Sequence, residues 1–536
     1  MALKTLGITS VVAHLPETSL WANRKCLLIC SVVAIANMQY GLDSAVLAGL
    51  QAMPGFLMVF AHPDPNLRGG YGIDPTFQQL IGSFLTLGAF LSSITAGAFS
   101  YFLGRRPGLW VACILTAIGA AVQINTTNWG VVYFGRIIIG VGNGFLVTFS
   151  NIYCAEVSPA HLRAVMVALF SVWVNIGSII GAAANNATQT RLDKSSYQIP
   201  LGIQFVVPTL LAIGLFWVPE SPRWLVNKGR HEEGRKALMR LRGNSMLREE
   251  LELEWIEMVK GIEDDKKLAR TTGALDMFRG SDLRRTMLCW AVSVMPTASG
   301  VWFLISYSTY FMIVSGVSVD DSFKFSIMKT CIGFIGVFLG MYLMRYVFGR
   351  RSTIMIGGLL QGMCLLAMAL TATTQAGTEL ARNSVIAFVA LFFFFYNAFV
   401  GDASHPVATE LTSTRLRTWT VGSANSLGYL FAWLASFCSP YFINPDKLNW
   451  GARYGYIWAG SSFIISIFAF FFLPELKGRT LEEIDELFER RIPAWKFKTT
   501  KTKIADEARK EVEGRRERLQ EAKEPAELVK ETSASS

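Results

Sequence analysis

Charge is scarce in this chain. Only 17% of its 536 residues are Asp, Glu, Lys or Arg, against about 25% in an average soluble domain. That deficit, with 51% hydrophobic and 12% aromatic residues, excludes a string of soluble domains. The eight cysteines are scattered singly in or beside apolar runs. No CxxC pair and no secreted spacing occurs, which argues against a disulfide framework and a zinc site. No short apolar core with a small-residue cleavage site opens the chain, so the first apolar run reads as a retained helix. No nucleophile–base pair, phosphate-cradling loop or metal spacing appears, which argues against an enzyme. No metal and no cofactor is expected. Gly140-Val141-Gly142-Asn143-Gly144 is glycine-rich but lies inside an apolar run, where small residues let helices approach closely. The net charge of +10 does not signal nucleic acid, because the basic residues sit in loops between apolar runs and not along one groove.

Long apolar runs are what the chain has instead. A helix needs about 20 apolar residues to cross the hydrocarbon core. Such runs lie near 26–50, 78–103, 109–126, 129–153, 164–187 and 203–218, and near 286–315, 324–348, 353–372, 385–409, 419–444 and 455–473. The expected fold is an all-α membrane protein of twelve transmembrane helices, with a lipid bilayer as its solvent. Arg105 and Arg106, Arg350 and Arg351, and the basic 219–285 connection mark one side, while the loops at 51–77 and 373–384 carry few basic residues. Both termini and the central connection are therefore expected to be cytoplasmic. Two N-x-T sites, Asn125 and Asn186, fall on the expected outer side as glycosylation candidates. The expected division is a cytoplasmic segment 1–25, a bundle 26–218, a cytoplasmic connection 219–285, a bundle 286–473 and a charged cytoplasmic tail 474–536. The stretch Glu249–Lys260 reads as an amphipathic helix of a linker bundle. The tail, with few apolar anchors, reads as a solvated helix or a disordered segment.

The chain repeats itself at about 250 residues, the strongest organisational signal it holds. Gly104-Arg105-Arg106 recurs as Gly349-Arg350-Arg351, Glu156 with Arg163 as Glu410 with Arg417, and Pro219-Glu220 as Pro474-Glu475. Two six-helix pseudo-repeats related by an axis along the membrane normal are a known transporter plan, with the substrate site between them near the midplane. The doubled acids and arginines are expected to form salt-bridge networks that latch the halves on the cytoplasmic side. Positive-inside anchoring explains the arginines alone but not two acids at matching positions.

These strings, in order, resemble the sugar porter family of the major facilitator superfamily, in its fungal branch. The resemblance covers roughly residues 25–490. It rests on the two Gly-Arg-Arg turns, on Tyr133-Phe134-Gly135-Arg136 and on Glu156 to Arg163. It rests also on Pro219-Glu220-Ser221-Pro222-Arg223-Trp224-Leu225 and on Pro474-Glu475-Leu476-Lys477-Gly478-Arg479. The resemblance implies a plasma-membrane carrier of a sugar or sugar-like small molecule, driven by protons and working as a monomer. It also implies that Asp43, in Gly41-Leu42-Asp43, binds the proton and that Arg136 is its basic partner.

The departures bear on the cargo. Helix 7 usually carries Gln-Gln before its Ser-Gly and an Asn after it; here Pro296-Thr297 precede Ser299-Gly300, and Trp302 takes the Asn place. Ser171 and Ser178 stand where two glutamines are found. Each lost amide pair removes about 0.5–1.5 kcal/mol, which argues against a typical hexose site. Helix 10 gains Asp402 and His405, three residues apart on one face. Two readings stay open for them: a mutually satisfied pair, or cavity groups that bind a hydroxylated substrate or a second proton. Trp302, Phe303, Tyr307 and Tyr310 give helix 7 an aromatic face; Trp302 is expected to line the pocket, and residues 306–311 match the family's outer gate. Tyr101 and Tyr346 replace the acid of the usual Asp-x-x-Gly-Arg-Arg turn, so a weaker latch is expected. A non-sugar cargo, quinate-like or a secondary metabolite for export, is the alternative. A sensor that binds without transporting ranks below both.

Overall fold

The computed structural model describes residues 23–63, 70–159, 163–243, 248–271, 273–413, 415–479, 481–500 and 502. Eleven helices among the described residues are long and apolar enough to cross a membrane. In the first half these are α1 (Arg24–Leu50), α2 (Pro75–Leu103), α3 (Arg105–Ile124), α4 (Trp129–Val157) and α6 (Ser195–Leu215). The run expected near 164–187 is a helix as well, α5 (Arg163–Thr188). In the second half they are α7 (Gly280–Val314), α8 (Val319–Tyr342), α9 (Arg350–Thr374), α10 (Glu379–Leu411), α11 (Arg417–Ile443) and α12 (Gly451–Phe471). A bilayer leaves no water to satisfy backbone groups, so each apolar run must bond within itself as a helix. This is a multi-pass membrane protein.

Local chemistry sets the helix ends. Asp74 caps α2 by accepting from the Phe77 amide at 2.9 Å, and Pro75 fills the first position, where no N–H is needed. Gly104 turns the chain from α2 into α3 at φ 96°, a region that side chains with a Cβ avoid. Gly300, at φ 86°, divides α7 into Gly280–Ala298 and Val301–Val314. A π-turn, Tyr396–Gly401, interrupts α10 immediately before Asp402.

Within the halves, α1 packs on α5, α2 and α3 on α4, and α9 on α12. The glycine-rich run of α4 is a packing surface. A Cβ on Gly140 would strike the Leu85 carbonyl of α2, and one on Gly144 would strike Ser92. Two seams join the halves, α2 along α11 and α5 along α8.

Between α6 and α7 lie helices Pro222–Asn227, His231–Arg242 and Arg248–Thr271, the last containing the amphipathic stretch expected at 249–260. Buried Arg242 fastens this segment to the bundle by donating to the Val157 carbonyl at 2.9 Å while bonding Glu254. The charged tail departs from expectation. Helix Leu481–Glu489 buries Ile484, Leu487 and Phe488 with Phe497 against Leu288, Cys289 and Leu473. Three apolar residues at helical spacing suffice to dock it. Residues 503–536 lie outside the described residues.

Candidate functional site

Asp43 lies in the second half of α1 with its side chain fully buried. Its Oδ1 accepts from Arg136 Nη1 of α4 at 2.8 Å and from Gln204 Nε2 at 2.9 Å, and its Oδ2 accepts from Asn143 Nδ2 at 3.4 Å. Arg136 also donates from Nε to the Ile81 carbonyl of α2 at 3.3 Å, and it lines a small void with Gln123 and Val132. An ion pair this dry costs several kcal/mol of desolvation per ion. Three donors on one carboxylate offset that cost for the ionised form.

Asp402 and His405 do not bond each other. Asp402 Oδ1 accepts the Ser171 hydroxyl of α5 at 2.7 Å, across the two halves, and Oδ2 is buried without a partner. His405 stands edge-on to Phe170 of α5, centroids 6.2 Å apart, and remains exposed. Both therefore face the other half, so the self-satisfied pair is not formed. Asn397, in the π-turn, donates to Asn175 of α5 at 3.4 Å. Trp302 meets Tyr40 of α1 edge to face at 6.3 Å, again between halves. Ser178 instead bonds within its own half, to the Gly41 and Val174 carbonyls.

The end opposite the Gly-Arg-Arg turns is sealed. Tyr307 is buried and donates to the Ser436 carbonyl at 2.7 Å, its hydroxyl also 3.5 Å from the Gln78 carbonyl of α2. Asn444 donates to Gln78 Oε1 at 2.7 Å and accepts from Tyr310 at 2.6 Å. Gln51 of α1 reaches the Ser306 carbonyl at 3.1 Å, and Gln189 reaches Asp320 at 2.9 Å.

At the Gly-Arg-Arg end the bonds close within each half. Arg105 pairs with Glu156 at 2.7 Å, and Arg350 with Glu410 at 3.0 Å. Glu220 accepts the amides of Arg105 and Arg106, and Glu475 accepts that of Arg350. Arg106 donates to the Leu215 carbonyl, and Arg351 to that of Ala469. The repeat seen in the sequence is thus a repeat of bonds. In this conformation no ion pair among the described residues joins the two halves. Among the described residues Arg417 makes no ion pair, and its Nε is buried without a partner, while Glu410 is taken by Arg350. The side chain of Arg163 lies outside the described residues. Where the usual turn acid is missing, Tyr101 lies under Lys228 Nζ at 3.6 Å, a cation–π contact.

The model of the sugar (and other) transporter family matches residues 29–488. The chain belongs to this family. It is a membrane carrier and not an enzyme. It is 30% identical over 480 residues to the alpha-glucosides permease MPH3 of Saccharomyces cerevisiae, covering 88% of this chain and 78% of that one. It is 27% identical over 489 residues to the major facilitator-type transporter ecdD of Aspergillus rugulosus, covering 88% and 89%. Among solved structures it superposes on the proton:xylose symporter XylE bound to 6-bromo-6-deoxy-D-glucose with a TM-score of 0.69, at 21% identity, covering 87% of this chain and 99% of that one.

Several buried polar residues around this site are silent in the sequence. Gln204 and Asn143 are neutral amides in apolar runs, and only their shared target, Asp43, reveals them. Lys329 of α8 is buried, bonds the Ser308 hydroxyl and lies 4.8 Å from the centre of the Phe393 ring. Its isolation within an apolar run was the one available signal. Of the two glycosylation candidates, Asn125 is exposed just past α3, whereas Asn186 lies inside α5 and accepts from Gln189 at 3.1 Å.

Proposed function

We propose that this carrier moves a sugar or sugar-like molecule across the plasma membrane by alternating access, coupled to protons. The observation that carries the reading is the Asp43–Arg136 pair, fully buried where α1 and α4 meet. An ionised Asp43 is held by Arg136; a proton from outside breaks that pair and permits closure over the cargo. The names of MPH3 and XylE support a sugar and, for XylE, a proton. In this reading there are twelve spans in two six-helix halves, and the Gly-Arg-Arg end, both termini and the central helices are cytoplasmic. The sealed end is then the outer one, and the protein acts as a monomer. Trp302, Asp402 and His405 line the cargo's route with Ser171, and Tyr307 is an outer gate. The pairs Arg105–Glu156 and Arg350–Glu410 brace each half for latching on the cytoplasmic side, with Arg106, Arg163, Arg351 and Arg417 around them.

A non-sugar cargo is favoured by one observation: Ser171, a place of a sugar-binding amide, is spent on Asp402. Proteoliposome uptake across maltose, xylose, quinate and an aromatic acid, with and without an inward proton gradient, separates the readings. Gradient-driven accumulation of a sugar, lost in Asp43→Asn, is the expected result. Accumulation that ignores the gradient defeats the coupling.

A further inference from the structure

We infer that Asp402 carries a second proton through the transport cycle, in the half of the protein that lacks the Asp43–Arg136 pair. The inference rests on the proton-coupled reading above. It begins with an asymmetry between two carboxyls inside the spans. Asp43 receives three donors, one of them a guanidinium. Asp402 receives one hydroxyl, from Ser171, and its other oxygen is buried with nothing to bond. An ionised acid at mid-membrane costs about 2.5–3.5 kcal/mol on insertion scales unless something compensates it.

No cation among the described side chains of the surrounding helices bonds Asp402. Lys329 of α8 is engaged by Ser308 and Phe393, and Phe393 lies nine residues from Asp402 along α10, about 13 Å of helix. Arg350 of α9 is held by Glu410. Arg285 of α7 is held by Asp485 and the Leu411 carbonyl. Arg417 of α11 begins its helix, at the Gly-Arg-Arg end. Lys324 of α8 pairs with Asp320, Arg382 of α10 donates to the Gly377 carbonyl, and Arg284 of α7 donates to the Ile492 carbonyl. Tyr396 on α10, Tyr429 on α11, Tyr40 on α1 and Cys289 on α7, which bonds the Ala408 carbonyl, supply no positive charge. What Asp402 lacks is therefore a positive charge, and a proton on Oδ2 is the smallest one that fits.

His405 marks the route for that proton. His405, one turn beyond Asp402, is exposed although the outer end is sealed by Tyr307, Asn444 and Gln78. Oδ2 takes its proton from the outer solution while the halves are open outward, and gives it to water beside His405 after the outer end closes. No other covalent bond changes. The Ser171 hydroxyl then reads the result, because it bonds a carboxylate more strongly than a neutral acid. Deprotonation on the inner side tightens α5 against α10, and protonation loosens it.

The test has two arms on the full-length protein. In pH-titrated infrared difference spectra of purified protein, one component of the protonated-carboxyl band should persist in Asp43→Asn and in Glu220→Gln and be lost in Asp402→Asn. Asp402→Glu should retain such a band, which controls for misfolding. In proteoliposomes loaded against one pH unit, maltose accumulation should reach about hundredfold with two protons and about tenfold in Asp402→Asn, one decade per proton. An unchanged limit in Asp402→Asn, or an unchanged band, overturns the inference. If native protein accumulates no maltose at any gradient, the coupling reading fails for that sugar, and the infrared arm alone decides Asp402.

Discussion

Asp43 and Arg136 meet at 2.8 Å with side chains 0% and 1% exposed, so neither charge can be removed alone without leaving the other stranded. Breaking such a pair costs about 3–5 kcal/mol, whereas replacing both partners is close to neutral. Arg136→Met should therefore lower the thermal unfolding temperature in detergent, and Asp43→Asn combined with Arg136→Met should recover most of it. A double variant no more stable than Arg136→Met would mean that the pair is not the source of the cost.

The part of the seam between α2 and α11 that lies nearer the Gly-Arg-Arg turns offers a geometric check. Ser93 Oγ and Ser426 Oγ lie 3.0 Å apart across the two halves. Cysteines at both positions should form a disulfide under mild oxidation, since the two side-chain tips already meet across the seam. The native cysteines interfere little: six are buried, and replacing Cys331 and Cys438 removes the two that are not. Protease cleavage between the halves followed by a non-reducing gel reads the link. Failure to link in the purified protein would contradict this packing.

The two Gly-Arg-Arg turns repeat in sequence but differ in backbone, and that difference is measurable. Gly104 has φ 96° and ψ −178°, a combination open to glycine alone, while Gly349 has φ −85°. Gly104→Ala should cost about 1–3 kcal/mol in backbone strain, and its Cβ would also lie 2.7 Å from the Glu220 carboxylate. Gly349→Ala strains no backbone but drives its Cβ into Glu475, the acceptor of the Arg350 amide. Glu475→Ala should therefore rescue Gly349→Ala in a thermal unfolding assay, whereas Glu220→Ala should leave Gly104→Ala impaired.

The helices were legible because a bilayer allows no other solution for a long apolar run. The Asp43–Arg136 pair was legible through the resemblance to sugar porters, which places an acid and its basic partner at these two positions. Gln204 and Asn143 were not, since an amide in a helix gives no hint of its target. The Asp402–Ser171 bond was hidden for a different reason. It joins residues 231 positions apart, in two halves whose contact no local pattern encodes. The tail was misjudged because its three anchors occupy one nine-residue helix, too short to stand out among so many charges. The expected network reached across the halves, whereas Glu156 bonds Arg105 and Glu410 bonds Arg350, each inside its own half.

Glu220 gives the protein a pH dependence whose direction is fixed by its surroundings. Burial pushes its carboxyl up from the ordinary value, against the pull of the amides of Ser221, Arg106 and Arg105. A group raised in the folded state contributes fully below its unfolded value, about 4.3 for Glu, and loses that contribution as pH rises through the folded value. Glu220→Gln keeps an acceptor oxygen for those amides and has no charge to bury. Native protein and Glu220→Gln should therefore unfold at similar temperatures near pH 4, and the variant should gain on the native protein between pH 5 and pH 8. Thermal scans across that range measure the gap. A gap that narrows as pH rises would show that the amides and Arg105 outweigh burial at this carboxylate.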